Sequence, residues 1–332
     1  MARSNWKTFC SSLSLSCIVA VMPTMLNAQT TGADQFPNRP VTIMVAYSAG
    51  GATDVAARTI AEQLGLLWGQ SVVVENRPGA GGNIGAAEVA RAKPDGYTMI
   101  MVAPAHAINV SLYDKPGYRA LEDFTSIGQV SFITNMVVAH PSFPANTISE
   151  LISSAKKNPG EIAYASGGVG TSEHLSAEYF QYRTGTRLAH IPYKGTSATI
   201  PDLLAGRVKL SFGNLPALLP HIRSGALKAL AVSAPERTPV LPDVPTVGET
   251  VGADYNVTVW LGLLAPAGTP DNIVAKINGD LAKVLAKPIV KERLAGLGME
   301  PAHSSPGAFR DLIASEKDKY AKVIEAANVK AN

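Results

Sequence analysis

Short apolar runs alternate with amphipathic stretches along most of the chain. Val41 to Ala46 is apolar and rich in β-branched residues, which predicts a buried strand. After it, Ala56, Ile60 and Leu64 recur with the spacing of one helical face. The same pattern predicts strands at 41–46, 72–75 and 97–102 and helices at 56–67 and 86–92. This β-α-β-α-β order indicates a parallel sheet with right-handed crossovers.

The middle and the end of the chain repeat this alternation. Thr147 and Glu150 predict a capping box at a helix start, and Ser305 predicts the N-cap of the last helix. Between 235 and 245, four prolines predict an irregular connection. The predicted strands are 162–165, 188–191, 208–212, 228–233 and 257–264, and the predicted helices are 147–157, 172–183, 197–205, 215–224 and one containing Ile273 to Leu285.

Two α/β units follow one another without a Gly/Ser-rich linker, which predicts two lobes joined by crossing strands. We assign residues 35–138 and 251–332 to lobe 1 and residues 139–250 to lobe 2. The predicted crossings lie near 135–140 and 250–257. Ligands of open α/β sheets bind at the carboxyl ends of the strands, so a binding site is expected there.

The first 28 residues have the layout of a secretory signal peptide. Arg3 and Lys7 form a basic start, an apolar stretch follows, and cleavage is predicted at its end. Both cysteines, Cys10 and Cys17, fall within this segment, so the exported chain is expected to lack disulfides and thiolate metal sites. The alternatives are a disordered cytosolic N-terminus and a lipoprotein anchored near Cys17, although the apolar run continues past that cysteine.

The composition excludes several classes of protein. Of the 332 residues, 46% are hydrophobic and 17% are charged, against about 25% charged in an average globular domain, so an intrinsically disordered chain is not expected. Without the two basic residues of the leader, 27 basic residues face 26 acidic ones. This nearly neutral balance gives no support to a nucleic-acid partner. No apolar stretch after residue 30 is long enough to span a bilayer.

The sequence motifs of several cofactor and enzyme classes are absent. The segment from Gly79 to Gly85 is glycine-rich, but its third glycine falls one residue late for a dinucleotide fingerprint, and there is no P-loop motif. The six histidines show no metal-ligand spacing. The GxSxG elbow of hydrolases is also missing. We therefore expect no catalytic residues, no metal and no cofactor, while a secreted hydrolase that uses the same cleft remains an alternative.

Three strand-to-helix loops, at 48–54, 167–174 and 194–198, combine glycine with Ser, Thr or Asp. The start of a helix presents free N–H groups and about half a positive charge, and glycine lets a ligand approach the backbone. One such loop is weak evidence, because every helix needs a cap. Three of them across two lobes predict an anion-binding cleft.

These loops lie within motifs that resemble those of the Bug family, the extracytoplasmic solute-binding components of tripartite tricarboxylate transporters. The match runs from about residue 37 to the last helix, and the ordered set of motifs is highly specific. In chain order the motifs are 47–54 (YSAGGATD), 73–82 (VVENRPGAGG), 94–98 (PDGYT), 170–175 (GTSEHL), 191–195 (IPYKG), 241–246 (LPDVPT) and 266–270 (PAGTP).

The resemblance implies an α/β, two-lobed periplasmic-binding-protein fold, in which each lobe is a doubly wound sheet and the ligand lies in the cleft between the lobes. In the family, a ligand carboxylate is held by the first strand-to-helix loop and by the loop after the Tyr-Lys-Gly motif, partly through ordered water. Carried over, the expected ligand-binding residues are Tyr47, Ala49, Gly50, Gly51, Thr53, Asp54, Ala105, His106, Gly170, Thr171, Ser172, His174, Lys194, Gly195, Thr196, Ser197, Ala198 and Asn214. For three of them an alternative stays open: Asp54 as a helix cap, His174 as a packing residue and Lys194 as a side chain in solvent.

Two positions depart from the family pattern. Ser48 and Ala49 stand where the family often has proline before the glycine pair, and Gly213 precedes Asn214 where an acidic residue is frequent. Both departures concern which carboxylate binds, and neither changes the expected mode of binding.

The function implied by the resemblance is that of a periplasmic solute-binding protein, not an enzyme. It would capture a small carboxylate and deliver it to the membrane permease subunits of the transporter. The expected partners are therefore the carboxylate and the permease subunits. No nucleic-acid partner is expected, and the protein is expected to be a monomer. A sensory adaptor that presents its ligand to a receptor kinase is the alternative function.

Overall fold

The computed structural model describes residues 1–2, 36–47, 49–193 and 198–330. Apart from its first two residues, the predicted signal peptide lies outside the described residues, together with both cysteines. Ser48 and the expected ligand-binding residues Lys194, Gly195, Thr196 and Ser197 also lie outside them.

Strands and helices alternate along the described chain, as the sequence predicts, and each predicted element is found within a few residues of its expected limits. The strands are β1 (Val41–Val45), β2 (Val72–Asn76), β3 (Thr98–Val102), β4 (Phe124–Ala139), β5 (Ala163–Ser166), β6 (Ala189–Pro192), β7 (Leu210–Asn214), β8 (Lys228–Val232), β9 (Thr258–Pro266) and β10 (Glu300–Pro301). The helices are α1 (Ala52–Trp68), α2 (Asn83–Ala90), α3 (Ala105–Leu112), α4 (Ile148–Lys157), α5 (Ser172–Thr184), α6 (Ile200–Leu204), α7 (Leu215–Arg223), α8 (Gly248–Val251), α9 (Asp271–Ala286), α10 (Pro288–Gly296) and α11 (Pro306–Ala327).

Both predicted helix caps are present. Thr147 Oγ1 accepts a hydrogen bond from Glu150 N–H at 3.1 Å, which starts α4. Ser305 Oγ accepts one from Ala308 N–H at 3.1 Å, which starts α11. These caps satisfy N–H groups that the first turn of a helix leaves without a backbone partner.

The N-terminal half of the sheet is built from the first β-α-β-α-β unit. β1 lies between β2 and β3, and the three strands are parallel, so their carboxyl ends share one edge. β9 pairs antiparallel with β3. The first part of β4 then pairs antiparallel with β9, from Phe124 opposite Pro266 to Thr134 opposite Thr258.

The long strand β4 carries the sheet into its second half. After Thr134 its partners change, and the segment from Asn135 to Ala139 pairs with β7, while Met136 to Ala139 pairs with β8 on the other edge. β7, β5 and β6 are parallel to one another in that order. The result is a curled mixed sheet of two lobes. The lobe limits at 138 and 250 stay a prediction.

Each half of the sheet has its own hydrophobic core. In the first half, Ile43, Ile60 and Leu281 belong to a fully buried cluster between the sheet, α1 and α9. In the second half, Tyr164 and Phe212 form the centre of a separate cluster. Separate hydrophobic clusters in the two halves allow the halves to behave as distinct lobes.

The C-terminal helix α11 contacts both halves. Near its start, Phe309 packs edge-on against Trp260 of β9, with ring centroids 5.4 Å apart. Near its end, Tyr320 and Val323 are buried in the core of the second half. Between them, Trp260 Nε1 donates to Glu316 Oε2 at 3.3 Å. The helix therefore joins the two halves outside the sheet.

Candidate ligand-binding site

The predicted loops before α1 and α5 lie at the carboxyl ends of parallel strands, one in each half of the sheet. β1 and β3 lead into α1 and α3 in the first half, and β5 and β7 lead into α5 and α7 in the second. A Cβ on Gly170, before α5, would lie 3.4 Å from Leu112 Cδ2 at the end of α3. The loop before α5 is therefore next to an element of the first half.

A network of side chains holds the loop between β1 and α1. Asp54 Oδ2 accepts hydrogen bonds from Gly50 N–H (2.8 Å) and Arg58 Nε (3.0 Å). Asn76 Nδ2 donates to the other Asp54 oxygen (2.9 Å) and to Tyr47 O (3.0 Å). Burial raises the pKa of Asp54, but these three donors outweigh it and hold the pKa below its ordinary value. We infer that the charged Asp54 positions the loop and is not itself a contact for an anion.

The start of α1 is open to solvent. Gly50 and Gly51 are exposed, and Gly50 has a φ of +81°, which a side chain would strain. The first hydrogen bond of the helix runs from Val55 N–H to Gly51 O at 3.0 Å. The N–H groups of Ala52 and Thr53 therefore have no partner within the helix. Together with the helix dipole, they form a place for an anion.

We expect Asn76→Ala to weaken carboxylate binding about tenfold while leaving the protein folded, because a lost hydrogen bond that holds a site is worth about 1 kcal/mol or more. The variant removes both donors that join Tyr47 O to Asp54. Isothermal titration calorimetry with a bound carboxylate measures the change. The control is Glu75→Ala on the same strand, whose side chain is half-exposed and lies 3.5 Å from Arg77. Equal affinities of the two variants would show that the network does not position the site.

The loop between β5 and α5 is held by its own side chains. Thr171 Oγ1 donates to Gly168 O (2.8 Å) and accepts from His174 N–H (3.4 Å). Gly170 N–H donates to His174 Nδ1 (3.0 Å). Because Nδ1 accepts, a neutral His174 ring carries its proton on Nε2, which faces Glu178 Oε1 at 3.6 Å. We infer that His174 positions this loop.

His174 is buried at one end of a row of three stacked rings. It stacks on His190 with ring centroids 4.0 Å apart, and His190 stacks on Tyr164 at 5.0 Å. Burial, with His190 beside it, lowers the pKa of His174 to about 3, and burial also lowers the pKa of His190. His190 Nε2 lies 2.6 Å from Ser166 Oγ, at the start of the loop. The neutral pair of rings thus supports the loop.

Asn214 connects the end of β7 to the same loop. Its Nδ2 donates to Glu173 Oε1 (3.3 Å), and Gly167 N–H donates to Glu173 Oε2 (3.2 Å). The Asn214 Oδ1 is buried and has no hydrogen-bond partner among the described residues. Asn135 lies directly opposite on β4, and its Oδ1 and Nδ2 are also buried without a hydrogen-bond partner among the described residues. Buried polar groups normally have partners, so these two amides mark a polar row where the sheet changes halves.

His106 lies deep in the first half, in α3. Its ring stacks on Tyr118 (4.9 Å) and meets the edge of Phe124 (4.8 Å). Its Nε2 lies 3.0 Å from Ala120 O. Burial lowers the pKa of His106 to about 4, although the bond to that carbonyl acts in the opposite direction. His106 and Tyr47 line the same small pocket beside the first loop.

The expected ligand-binding residues fall into a few groups. Ala198 is exposed, and the four residues before it lie outside the described part. Sequence reasoning missed the residues that hold the loops, among them Arg58, Asn76 and Glu173, although Asn76 lies within the quoted motif 73–82. The groups are Tyr47, Ala49, Gly50, Gly51, Thr53 and Asp54 around the start of α1; Ala105 and His106 at the start of α3; Gly170, Thr171, Ser172 and His174 at the start of α5; and Asn214 before α7.

The site is built from backbone N–H groups, hydroxyls and amides. Within the described ranges, no group of three or more His, Cys, Asp or Glu side chains could hold a metal ion. In those ranges, no helix combines the length and apolar character needed to cross a membrane.

Comparison with known proteins identifies the family. Residues 56–329 match the TctC family model, described as the tripartite tricarboxylate transporter family receptor. The chain belongs to this family. The chain is similar to protein BugT of Bordetella pertussis. The two are 36% identical over 305 residues, which cover 91% of this chain and 94% of BugT.

Solved structures support the fold. The periplasmic binding protein BugD is 37% identical, with a TM-score of 0.68, over 90% of this chain and 100% of BugD. A protein of R. palustris solved with adipate is 36% identical, with a TM-score of 0.71, over 89% and 99% of the two chains. MatC of Rhodopseudomonas palustris, solved with bound malate, is 32% identical, with a TM-score of 0.68, over 87% and 100%. The family resemblance and the periplasmic-binding-protein fold predicted from the motifs are confirmed.

Proposed function

We propose that this TctC-family protein is a periplasmic solute-binding protein that captures a small carboxylate between its two lobes. It delivers the ligand to the permease subunits of a tripartite tricarboxylate transporter and catalyses no reaction. Similar proteins were solved with adipate and malate, which supports a carboxylate ligand. The protein acts as a monomer without a nucleic-acid partner, with lobe 1 formed by 35–138 and 251–332 and lobe 2 by 139–250.

The observation that carries this proposal is the exposed start of α1. Its loop is fixed from behind by Asp54 and Asn76, while the N–H groups of Ala52 and Thr53 are left without a partner in the helix. Such a site receives a carboxylate without moving, so little binding energy is lost in ordering the loop.

The anion is bound by hydrogen bonds and not by an ion pair. The nearest cation of the first loop, Arg58, is already held by Asp54 at 3.0 Å and by Asn76 Oδ1 at 3.0 Å. Hydrogen bonds to a charged group contribute about 1.5–3 kcal/mol each, and a few of them account for micromolar binding.

The ligand also favours a closed arrangement of the lobes. The chain passes between the halves within β4 and again at Val257, whose N–H donates to Ser233 O at 2.9 Å. Short connections of this kind permit hinge bending. Since loops of both lobes grip the anion, the closed state binds it more tightly and gives the permease a shape to recognise.

A thermal-shift screen tests the proposed function. The panel contains succinate, malate, adipate, citrate, aspartate and benzoate, with succinamide and adipamide as neutral controls of the same length. A ligand at 100 times its Kd adds about 2.7 kcal/mol of stability. We expect at least one acid to raise the Tm, no effect from the amides, and recovery of the bound acid unchanged by mass spectrometry. An amide that stabilises as much as its acid, or a chemically altered acid, would contradict the proposal.

A further inference from the structure

His106 lines the small pocket beside the first loop, and one of its ring nitrogens needs a hydrogen-bond donor. His106 Nε2 lies 3.0 Å from Ala120 O, and a carbonyl oxygen only accepts, so Nε2 carries the ring proton. In the neutral ring the other nitrogen, Nδ1, is then an acceptor. It is buried and has no partner in the described part of the chain. Buried acceptors are rarely left in this condition in native proteins.

The His106 ring is packed against two aromatic neighbours. Tyr118 stacks on one face at 4.9 Å, and Phe124 lies against it at 4.8 Å. Tyr118 is itself fixed, because its hydroxyl donates to His106 O at 3.0 Å. Because His106 lines the pocket, a donor that enters the pocket lies beside this ring.

The lining of the pocket limits the donor to a neutral group. Most of the lining is aliphatic or aromatic, and among the described residues it includes no acidic side chain. An ammonium group would lose its water there without gaining a counter-charge, which is unfavourable. A hydroxyl has no such cost. The described lining consists of Ala46, Tyr47, Gly81, Gly82, Ala86, Ile100, Val102, His106, Asn109 and Tyr118.

The pocket adjoins the proposed carboxylate site. Ala46 and Tyr47 follow β1 directly, and the loop that begins with them ends at the start of α1. A small molecule whose carboxylate lies at the start of α1 can thus present a neighbouring group to this pocket.

We propose that His106 selects hydroxylated carboxylates, with the ligand hydroxyl donating a hydrogen bond to His106 Nδ1. This inference rests on the proposed function and narrows its ligand class to hydroxy acids, at the expense of amino acids and of unsubstituted acids. His106 is then a specificity-determining residue.

Matched pairs of acids test the inference by isothermal titration calorimetry. The pairs are malate and succinate, lactate and propionate, and citrate and tricarballylate, which differ by one hydroxyl. We expect the hydroxylated acid to bind about tenfold more tightly within a pair that binds, because the deoxy acid leaves a buried acceptor unpaired. Equal affinities within a pair would overturn the selection while leaving the carboxylate site intact. If none of the six acids binds while another carboxylate of the thermal-shift panel does, the selection is overturned and the carboxylate site stands. Failure of every carboxylate of both panels would contradict the proposed function itself.

Two variants assign the preference to His106. His106→Phe keeps an aromatic ring but has no acceptor, and we expect the affinity ratio within a pair to fall to about one. His106→Gln can donate to Ala120 O and still offer an oxygen to the pocket, so the ratio is retained. A merely structural role would lower both affinities equally and leave the ratio unchanged, which would overturn the proposal. If His106→Phe does not fold, the affinity ratios of the wild type and His106→Gln still test the proposal. Both should favour the hydroxylated acid, and a ratio near one in the wild type would overturn it.

Discussion

Gly298→Ala is expected to lower ligand affinity about tenfold or more and to destabilise the fold by roughly 1–3 kcal/mol beyond the cost of its backbone strain. Gly298 follows α10 in the proposed lobe 1, and a Cβ there would overlap Cγ of Pro216 in α7 of the proposed lobe 2. A proline ring cannot move aside as a flexible side chain would. We therefore expect the methyl group to push the two proposed lobes apart and to shift the population toward an open state that binds weakly.

Gly268→Ala is the matched control for Gly298→Ala. Gly268 also lies in the proposed lobe 1 with a positive φ (+84°, against +69° for Gly298), but the nearest atom to its Cβ is Pro94 Cβ at 4.0 Å. Both variants carry the strain of a side chain in left-handed backbone, about 1 kcal/mol, and only Gly298→Ala adds the contact with Pro216. Calorimetric affinities and urea unfolding compare the two. Equal losses in both would show that this contact does not set the angle between the lobes.

The alternation of strands and helices was readable from the sequence because local patterns carry it. The strand β1 is a short β-branched run, and α4 begins with the predicted Thr147 cap. Each of these signals depends on neighbouring residues in the chain. The order of strands within one β-α-β unit also follows, since right-handed crossovers leave few choices.

The strand β4 was not predicted, because irregular pairing with its neighbour interrupts the alternation of its side chains. β4 shifts register against β9 between Ser126 and Gly128 and again between Gln129 and Ser131. Each shift interrupts the alternation of inward and outward side chains on which strand prediction depends. From Asn135 onward β4 pairs with other strands. The residues around this position show no sequence pattern from which the change of partner could be predicted.

In the candidate site too, features set by neighbouring residues were predicted, and contacts between residues far apart in the chain were not. The loops themselves were predicted, since glycine and a cap before a helix are adjacent in sequence. The bond from Asn76 to Asp54 joins residues 22 positions apart, and the stacking of His174 on His190 joins a helix to a strand. These contacts exist only once the sheet has formed, so the sequence indicated where the ligand binds but not what holds the loops.

We expect the unliganded protein to lose stability as the pH falls from about 6.5 toward 4. Burial lowers the pKa of His106 to about 4 and that of His174 to about 3. In the unfolded chain both rings have a pKa near 6.5. Below that pH the ring is protonated in the unfolded state and neutral in the folded state. The destabilisation by each ring therefore grows as the pH falls and approaches about 1.4 kcal/mol per pH unit. Burial of His190 acts in the same direction.

Urea unfolding at pH 7.5, 6.5 and 5.5, without ligand, measures this loss of stability. Glu178, which faces His174 at 3.6 Å, has a pKa raised by burial and offsets part of the loss near the acid end. His174→Gln should reduce the loss of stability between pH 7.5 and pH 5.5 by about 1.4 kcal/mol in total. The exposed His303 provides the control His303→Gln, which should keep the wild-type loss. If His174→Gln also keeps it, His174 takes up a proton in the folded protein as readily as in the unfolded chain. The bond from Gly170 N–H to its Nδ1 would then not hold the loop in acid, because a protonated ring has no acceptor to offer.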